Sequence, residues 1–406
     1  MPESHQAARY DQQLTTTSSS LRPAAHYDQQ FHNNERFAMK ILITNQRMAK
    51  RTGTELYVFE LALELLSRGH TPIVFAPQQG ALSEQLRSRT VPVVDQLSKI
   101  GSVPDVIHGH HFEPLLCAAL RFPRTPAVFC CHSWNSELDE PPRLSRIQTY
   151  AAVDNTCRDR LIYEFGIPEE RTALIHNFVN LERFACRGPL PDKPKKALLF
   201  TNRRVVGNFR AAISSACRQH NIDLEFLGAG SGKQCETPEQ VLPKYDLVFA
   251  RGKAAIESLA VGAAVIVCDR KGLGPLVRTE NFDHMRDLNF GRRLFTQPMT
   301  AANVSAEIAH YSPSDMTVVC GQIRNLSSLQ LIVDQWLSLY QQTVEDYQPD
   351  TASLEGDLIA ASAHLESLGK FIQQGRKYEN MSKFIKSFPR RIFSPITRLF
   401  GGRRAA

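Results

Sequence analysis

Between residues 39 and 347 short apolar runs alternate with longer segments of helical composition. Among them are Met39–Asn45, Pro72–Pro77, Asp105–His110, Ala127–His132, Thr172–Asn177, Lys196–Asn202, Asp223–Gly228, Tyr245–Arg251 and Ala264–Asp269. Each is of strand length, and the alternation is the pattern of a mostly parallel sheet wrapped by helices. The rhythm breaks at the Pro- and Lys-rich stretch Gly188–Lys196 and then restarts. The predicted fold class is therefore α/β, with two doubly wound, Rossmann-like domains facing a cleft. Ligands of such sheets bind beyond the carboxyl ends of the strands. The residues that end the runs, Asn45, His110, His132, Asn177, Asn202, Arg251 and Asp269, thus form one candidate list.

At 406 residues the chain suits two domains plus tails. Residues 1–38 are rich in Gln, Ser, Thr, His and Asn, with little periodic apolar content. Such a segment buries too little surface to fold alone and is expected to be a disordered extension. The first domain is expected over 39–189 and the second over 190–347, with a linker and basic tail over 348–406. No apolar run approaches the roughly 18–20 residues that span a bilayer, and no signal segment opens the chain. The nine cysteines show no CxxC spacing and several fall inside strand-like runs, so they read as reduced core thiols of a cytosolic protein.

The net charge of +7 is unevenly placed. From Phe371 to Ala406 there are nine Lys/Arg against the single acid Glu379, a net +8 that leaves residues 1–370 at −1. A nucleic-acid-binding face on the body is therefore not expected. Within 378–406, Phe384, Ile385, Phe388, Ile392 and Phe393 interleave with Lys383, Lys386, Arg390 and Arg391, a mixture that suits an anionic membrane surface. Pro389 and Pro395 argue against one continuous helix there.

In the first domain Thr52 and Glu55 have capping-box spacing ahead of Leu56–Arg68, so a helix start is expected there. Gly53 and Thr54 would present its N-terminus to an anion or a hydroxyl-rich ligand. In Asp105–His111 three histidines fall within four residues, but no second ligand cluster follows at a recognisable spacing. No metal is assigned; His110 and His111 read as lining a polar cleft and His108 as a strand residue. His132 ends its run beside Ser133, Trp134 and Asn135, where it can bind sugar hydroxyls or steer a proton.

In the second domain Arg203 and Arg204 follow a strand end and offer planar forks for phosphate. Gly228–Gly232 lacks the long helix and later acid of a dinucleotide fingerprint, so a nicotinamide cofactor is not expected. Arg251 and Lys253 flank Gly252 at a helix start, where the dipole also favours an anion. Glu257, one turn in, either accepts hydrogen bonds from ribose or faces solvent. The polar run Gly272–Asn289 adds Arg278, Thr279 and Asn281 as donor-site candidates.

Taken in order, these segments resemble a GT-B glycosyltransferase of the family-4 type over about residues 39–343. MKILITN through TGTELYVFELALELLSRGH is similar to the family's first strand, glycine loop and helix. DVIHGHH, AVFCCHSWN, IHNFVNLERF and LLFTNRR resemble its later strands and hinge, and AAIESLAVGAAVIVCD its donor-ribose segment. The resemblance implies Gly53 and Thr54 near the donor phosphate or acceptor, and His132 near the sugar. It also implies Arg203 or Arg204 at the diphosphate and Glu257 at the ribose. Transfer would retain configuration and need no metal or other cofactor.

The departures are specific. Phe249 stands where the family's first paired glutamate would lie, Val206 replaces a lysine before Gly207, and the GGxxE segment appears only as Gly272-Leu273-Gly274-Pro275-Leu276. The expected activity is that of a glycosyltransferase of class EC 2.4, in the cytoplasm or peripheral at the membrane. It would pass a sugar from a nucleotide-diphosphate donor to a glycan or lipid-linked acceptor in cell-surface polysaccharide synthesis. The alternative is a glycosyltransferase-like protein that binds a glycan or partner without turnover. An epimerase would need a carboxylate and histidine set that the sequence does not display.

Overall fold

The computed structural model describes residues 38–202, 205, 207–232, 235–349 and 351–366. Arg203, Arg204, the extension over 1–37 and the basic segment 378–406 therefore lie outside the described residues.

Seven parallel strands form the first sheet. Their order is Val93–Val94, Thr71–Phe75, Lys40–Thr44, Val106–His110, Ala127–Cys131, Ile147–Ala152, Thr172–Leu174. The inner strands are buried on both faces, which is why they read as unbroken apolar runs rather than alternating ones. Five strands form the second sheet, in the order Asp223–Leu227, Lys196–Phe200, Leu247–Ala250, Ala264–Asp269, Gly272–Leu276. Four are parallel; the edge strand Gly272–Leu276 runs antiparallel to its neighbour. The first residues of the polar run Gly272–Asn289 form this strand, and a Cβ added at Gly274 would stand 2.8 Å from the Leu294 carbonyl, so glycine fits there.

Each sheet has its own apolar core, and the chain passes between the cores twice. Phe178 packs in the first core and Val179 in the second; Ile323 packs in the second and Leu329 in the first. The two crossings pair with each other, Val179 N donating to Ser327 O at 2.8 Å and Leu329 N to Val179 O at 3.0 Å. After the second crossing the helix Leu329–Asp346 returns to the first sheet, capped by the Ser328 hydroxyl, which accepts from Leu331 N at 3.2 Å. It buries Ile332, Val333, Trp336 and Tyr340 there. Trp336 Nε1 donates to the Tyr57 hydroxyl at 2.7 Å, which satisfies the indole in a dry core.

The expected linker gives way to helix at 351, and 351–366 docks on the first domain. Asp357 accepts from Ser145 N at 2.6 Å and from Arg146 Nε at 2.7 Å, and both side chains of this ion pair are almost wholly buried. Arg146 Nη1 donates to the Phe122 carbonyl at 3.3 Å and to the Ala119 carbonyl. Ala361 packs in the first core beside this ion pair, and His364 stacks on Phe112. Among the described residues no helix is long and apolar enough to cross a membrane.

Removing one member of a buried pair leaves the other charge unpaired, at a cost of about 3–5 kcal/mol. Asp357→Ala is therefore expected to lower the urea midpoint by that equivalent, and truncation after residue 347 to do the same. Unchanged midpoints in both would show that the helix 351–366 contributes nothing to the fold.

Candidate functional site

The helix Gly53–Ser67 begins beyond the end of the first strand. The Glu55 carboxylate folds the preceding loop around itself, accepting from Ala49 N and Lys50 N at 3.1 Å each and from Thr52 N at 3.2 Å. This is the expected Thr52–Glu55 capping relation, and it leaves Gly53 open, with nothing within 4 Å of where a Cβ would stand. Thr54 is half-buried beside it. Two turns further on Glu60, only 4% exposed, points out of the apolar helix toward the second sheet.

There the strand Leu247–Ala250 ends, Arg251 pairs with Asp269 across neighbouring strand ends at 3.0 Å, and Gly252 turns the chain at φ +54° into the helix Lys253–Ala260. A positive φ at that point suits glycine. Lys253 Nζ lies 2.9 Å from Glu60 Oε2, 3.3 Å from the Phe178 carbonyl and 3.7 Å from Glu257 Oε1. Arg183 reaches the other Glu60 oxygen at 2.7 Å and Glu239 at 2.8 Å. Three carboxylates thus share two cations in a largely buried cluster. Burial, opposed by Lys253 and reinforced by the neighbouring Glu60 charge, pushes the Glu257 carboxyl up to about 7. Lys253 is held above its usual range because the Glu60 and Glu257 charges outweigh its burial.

On the first sheet His110 and His132 end adjacent strands, with His110 Nδ1 2.7 Å from His132 Nε2. Tyr57 sets its ring edge-on to His132 at 4.9 Å and packs on Phe178 at 4.5 Å. Phe178 in turn lies under the Lys253 ammonium at 5.0 Å. An unbroken line of contacts therefore runs from His132 through Tyr57, Phe178 and Lys253 to Glu257. The sequence reading named His132, Lys253 and Glu257, and the fold brings these three together. It gave no role to Glu60, Arg183, Tyr57 or Phe178. The one available signal was the pair of glutamates, Glu60 and Glu64, inside the apolar helical stretch FELALEL.

Arg278, Thr279 and Asn281 do not join this group. Because the edge strand is antiparallel, it carries the chain back along the sheet, and Val277 N bonds to Val265 O at 2.8 Å, near the start of the neighbouring strand. The three residues lie there, at the opposite end from Arg251 and Asp269. Asn281 accepts from Arg278 N at 2.8 Å, Thr279 N faces Asp315 at 3.3 Å, and the Arg278 guanidinium meets Glu280 at 2.5 Å. Arg278 and Thr279 line a separate cavity of about 430 Å³.

His132 is pushed down to about 3, by burial first and the His111 charge second, so it is neutral at pH 7. It serves as a hydrogen-bonding group rather than as a cation. Its backbone N donates at 2.9 Å to Asp139, whose carboxyl burial raises to about 6. His108 lies within its strand and bonds to the Tyr340 hydroxyl through Nδ1, while its Nε2 is buried without a partner. His111 takes a left-handed φ of +68° and accepts from Gln46 N at 3.2 Å, and burial lowers its imidazole to about 4. Among the described residues one trio has metal-ligand atoms within 4.8 Å of one another: His108, His110 and Cys130. Burial raises the Cys130 thiol well above its usual range, which disfavours the thiolate form a metal would take, while the two imidazoles stack at 4.3 Å with Nδ1 engaged and Nε2 buried without a partner. All nine cysteines are free thiols.

Residues 51–183 match the Glycosyltransferase Family 4 model. No curated protein sequence matches the chain significantly. A glycosyltransferase structure from Rickettsia africae superposes with TM-score 0.53 at 15% identity, over 77% of this chain and all of that one. Anabaena HepE in complex with UDP superposes with TM-score 0.54 at 15% identity, over 75% of this chain and all of HepE. The lipopolysaccharide outer core galactosyltransferase WaaB gives TM-score 0.50 at 10% identity, over 75% and 99% of the two chains. The chain has the GT-B fold, and the resemblance to family 4 read from the sequence is borne out.

The buried imidazoles make stability pH-dependent. A histidine kept neutral in the fold takes up its proton on unfolding near pH 6.5, so its contribution is complete above that pH and is lost as pH falls toward its folded value. His111→Asn keeps a side-chain acceptor for Gln46 N and removes the titrating imidazole. Between pH 6 and 5 the variant should lose stability less steeply than the parent, by up to about 1.4 kcal/mol per pH unit. Parallel denaturation curves across that range would contradict the assignment.

Proposed function

We propose that this chain is a glycosyltransferase that moves a sugar from a nucleotide-diphosphate donor to a glycan or lipid-linked acceptor. The line of contacts that gathers His132, Lys253 and Glu257 from both sheets carries this reading, and the family match and the fold support it. The nucleotide diphosphate belongs at the start of the helix Lys253–Ala260, where Lys253 Nζ and the helix dipole both favour an anion. Arg251 stands one residue before the turn. Glu257 is placed to accept ribose hydroxyls, and neutral His132 to hydrogen-bond the donor sugar. Fixed cations stabilise the charge that develops on the departing diphosphate. Such transfer retains configuration and uses no resident cofactor or metal. A role in cell-surface polysaccharide synthesis, with the basic segment 378–406 on an anionic membrane face, accords with the tail's composition.

A second reading, binding without turnover, draws on a specific observation. Both Lys253 and Arg183 are already engaged by Glu60, and Phe249 occupies the position of an expected acid. A donor phosphate must displace a carboxylate to reach Lys253.

Melting temperature of the full chain against a panel of nucleotide diphosphates and their sugars tests the first reading, with UDP first because HepE holds it. At a hundredfold excess over Kd a ligand adds about 2.7 kcal/mol to stability. A selective upward shift that Lys253→Ala reduces at least tenfold in affinity is expected, together with donor consumption when acceptor is supplied. A shift without donor consumption under any acceptor condition favours the binding protein, and no shift with any member contradicts donor binding altogether.

A further inference from the structure

We infer that the cavity beside Trp134 binds the acceptor, and that the acceptor is a saccharide carrying a carboxylate. The inference rests on the transferase reading for the word acceptor, while the ligand chemistry rests on the cavity itself.

The cavity, of about 730 Å³, is walled by residues from both sheets' domains: Trp134, Asp159, Arg160 and Tyr163 from the first, Arg292 and Arg293 from the second. Trp134 stands two residues beyond His132, so the cavity opens beside the strand end where the sugar is placed. Its indole is 39% exposed and the Tyr163 ring 81% exposed. Aromatic faces left to solvent in a concave polar site are the surfaces on which the C–H face of a pyranose stacks.

The charges decide which saccharide. Arg293 is paired with Asp159 at 2.5 Å, and Arg160 lies 3.5 Å from Glu164 while donating to the Ser133 and Ser136 carbonyls at 2.8 and 3.0 Å. Arg160 thereby holds the loop that carries Trp134, from a π-helical turn, Arg160–Glu164, of a kind frequent at functional sites. Arg292 differs. Its guanidinium lies over the Trp134 ring at 4.8 Å, and among the described residues no carboxylate comes within ion-pair distance of it. A cation over one face of an exposed aromatic ring keeps donors for a carboxylate while the other face receives the sugar. The same segment touches the donor side, since Phe290 O accepts from Gly252 N at 3.1 Å just before Lys253.

The chain supplies its own reporter. It has two tryptophans, and Trp336 is fully buried, so quenching of tryptophan fluorescence by a bound saccharide reads Trp134. The full chain is titrated with tetragalacturonate and with maltotetraose, each with and without UDP, alongside Arg292→Gln and Trp134→Phe. Tetragalacturonate should quench saturably, at least tenfold more tightly than maltotetraose, with added salt weakening it. Arg292→Gln should erase that preference, and Trp134→Phe the signal, with melting temperatures and UDP shifts of both variants unchanged. Equal affinity for both saccharides overturns the carboxylate, and no quenching by either in any condition overturns the site. Failure of UDP to bind would bear on the transferase reading alone.

Discussion

The Glu60 carboxylate couples the two halves of this molecule, alongside the paired chain crossings and the Arg293–Asp159 ion pair. Glu60 leaves an apolar helix of the first domain and is shared by Lys253 of the second and Arg183 of the crossing segment. Withdrawing a carboxylate from water is tolerable only where opposite charges and hydrogen bonds replace the lost solvation, and here both oxygens are so engaged. The position of Lys253 follows from this, and with it the orientation of the helix start that faces the proposed donor. The cations available to an incoming phosphate are therefore the same ones that hold the halves together.

The charge balance of that cluster explains Glu257. With Glu60, Glu239 and Glu257 all ionised, three negative charges face Lys253 and Arg183. Burial and the Glu60 charge bring Glu257 to about 7, so near neutral pH its proton is easily exchanged. A donor anion entering beside Lys253 would favour the protonated form further. Across Phe178 the surroundings are opposite in kind: His108, His110 and His132 are held neutral among Tyr57, Trp336 and Tyr340. One side of the site is ionic and adjustable, the other uncharged and closely stacked.

Much of this could be read from the chain. Parallel strands buried on both faces announce themselves as apolar runs, and the residues after them had to fall at the carboxyl edges; His132 and Arg251 were named on that ground, and Lys253 from the helix start that follows. Glu55 was recognisable because capping is local. Glu60 was not, since its partners are 123 and 193 residues away and one charge in a helix ordinarily faces solvent. Arg278, Thr279 and Asn281 were misplaced because a strand lacking β-branched residues hid a reversal of chain direction. The segment 351–366 was taken partly for linker, since it is seated by the Arg146–Asp357 pair rather than by an apolar stripe alone.

The most direct test is a crystal structure of the full chain with uridine diphosphate. The diphosphate is expected within hydrogen-bond distance of Lys253 Nζ, and the ribose hydroxyls on the Glu257 carboxylate. A nucleotide ordered elsewhere on the chain, with Lys253 still closed on Glu60, would contradict the donor site and the transfer chemistry built on it.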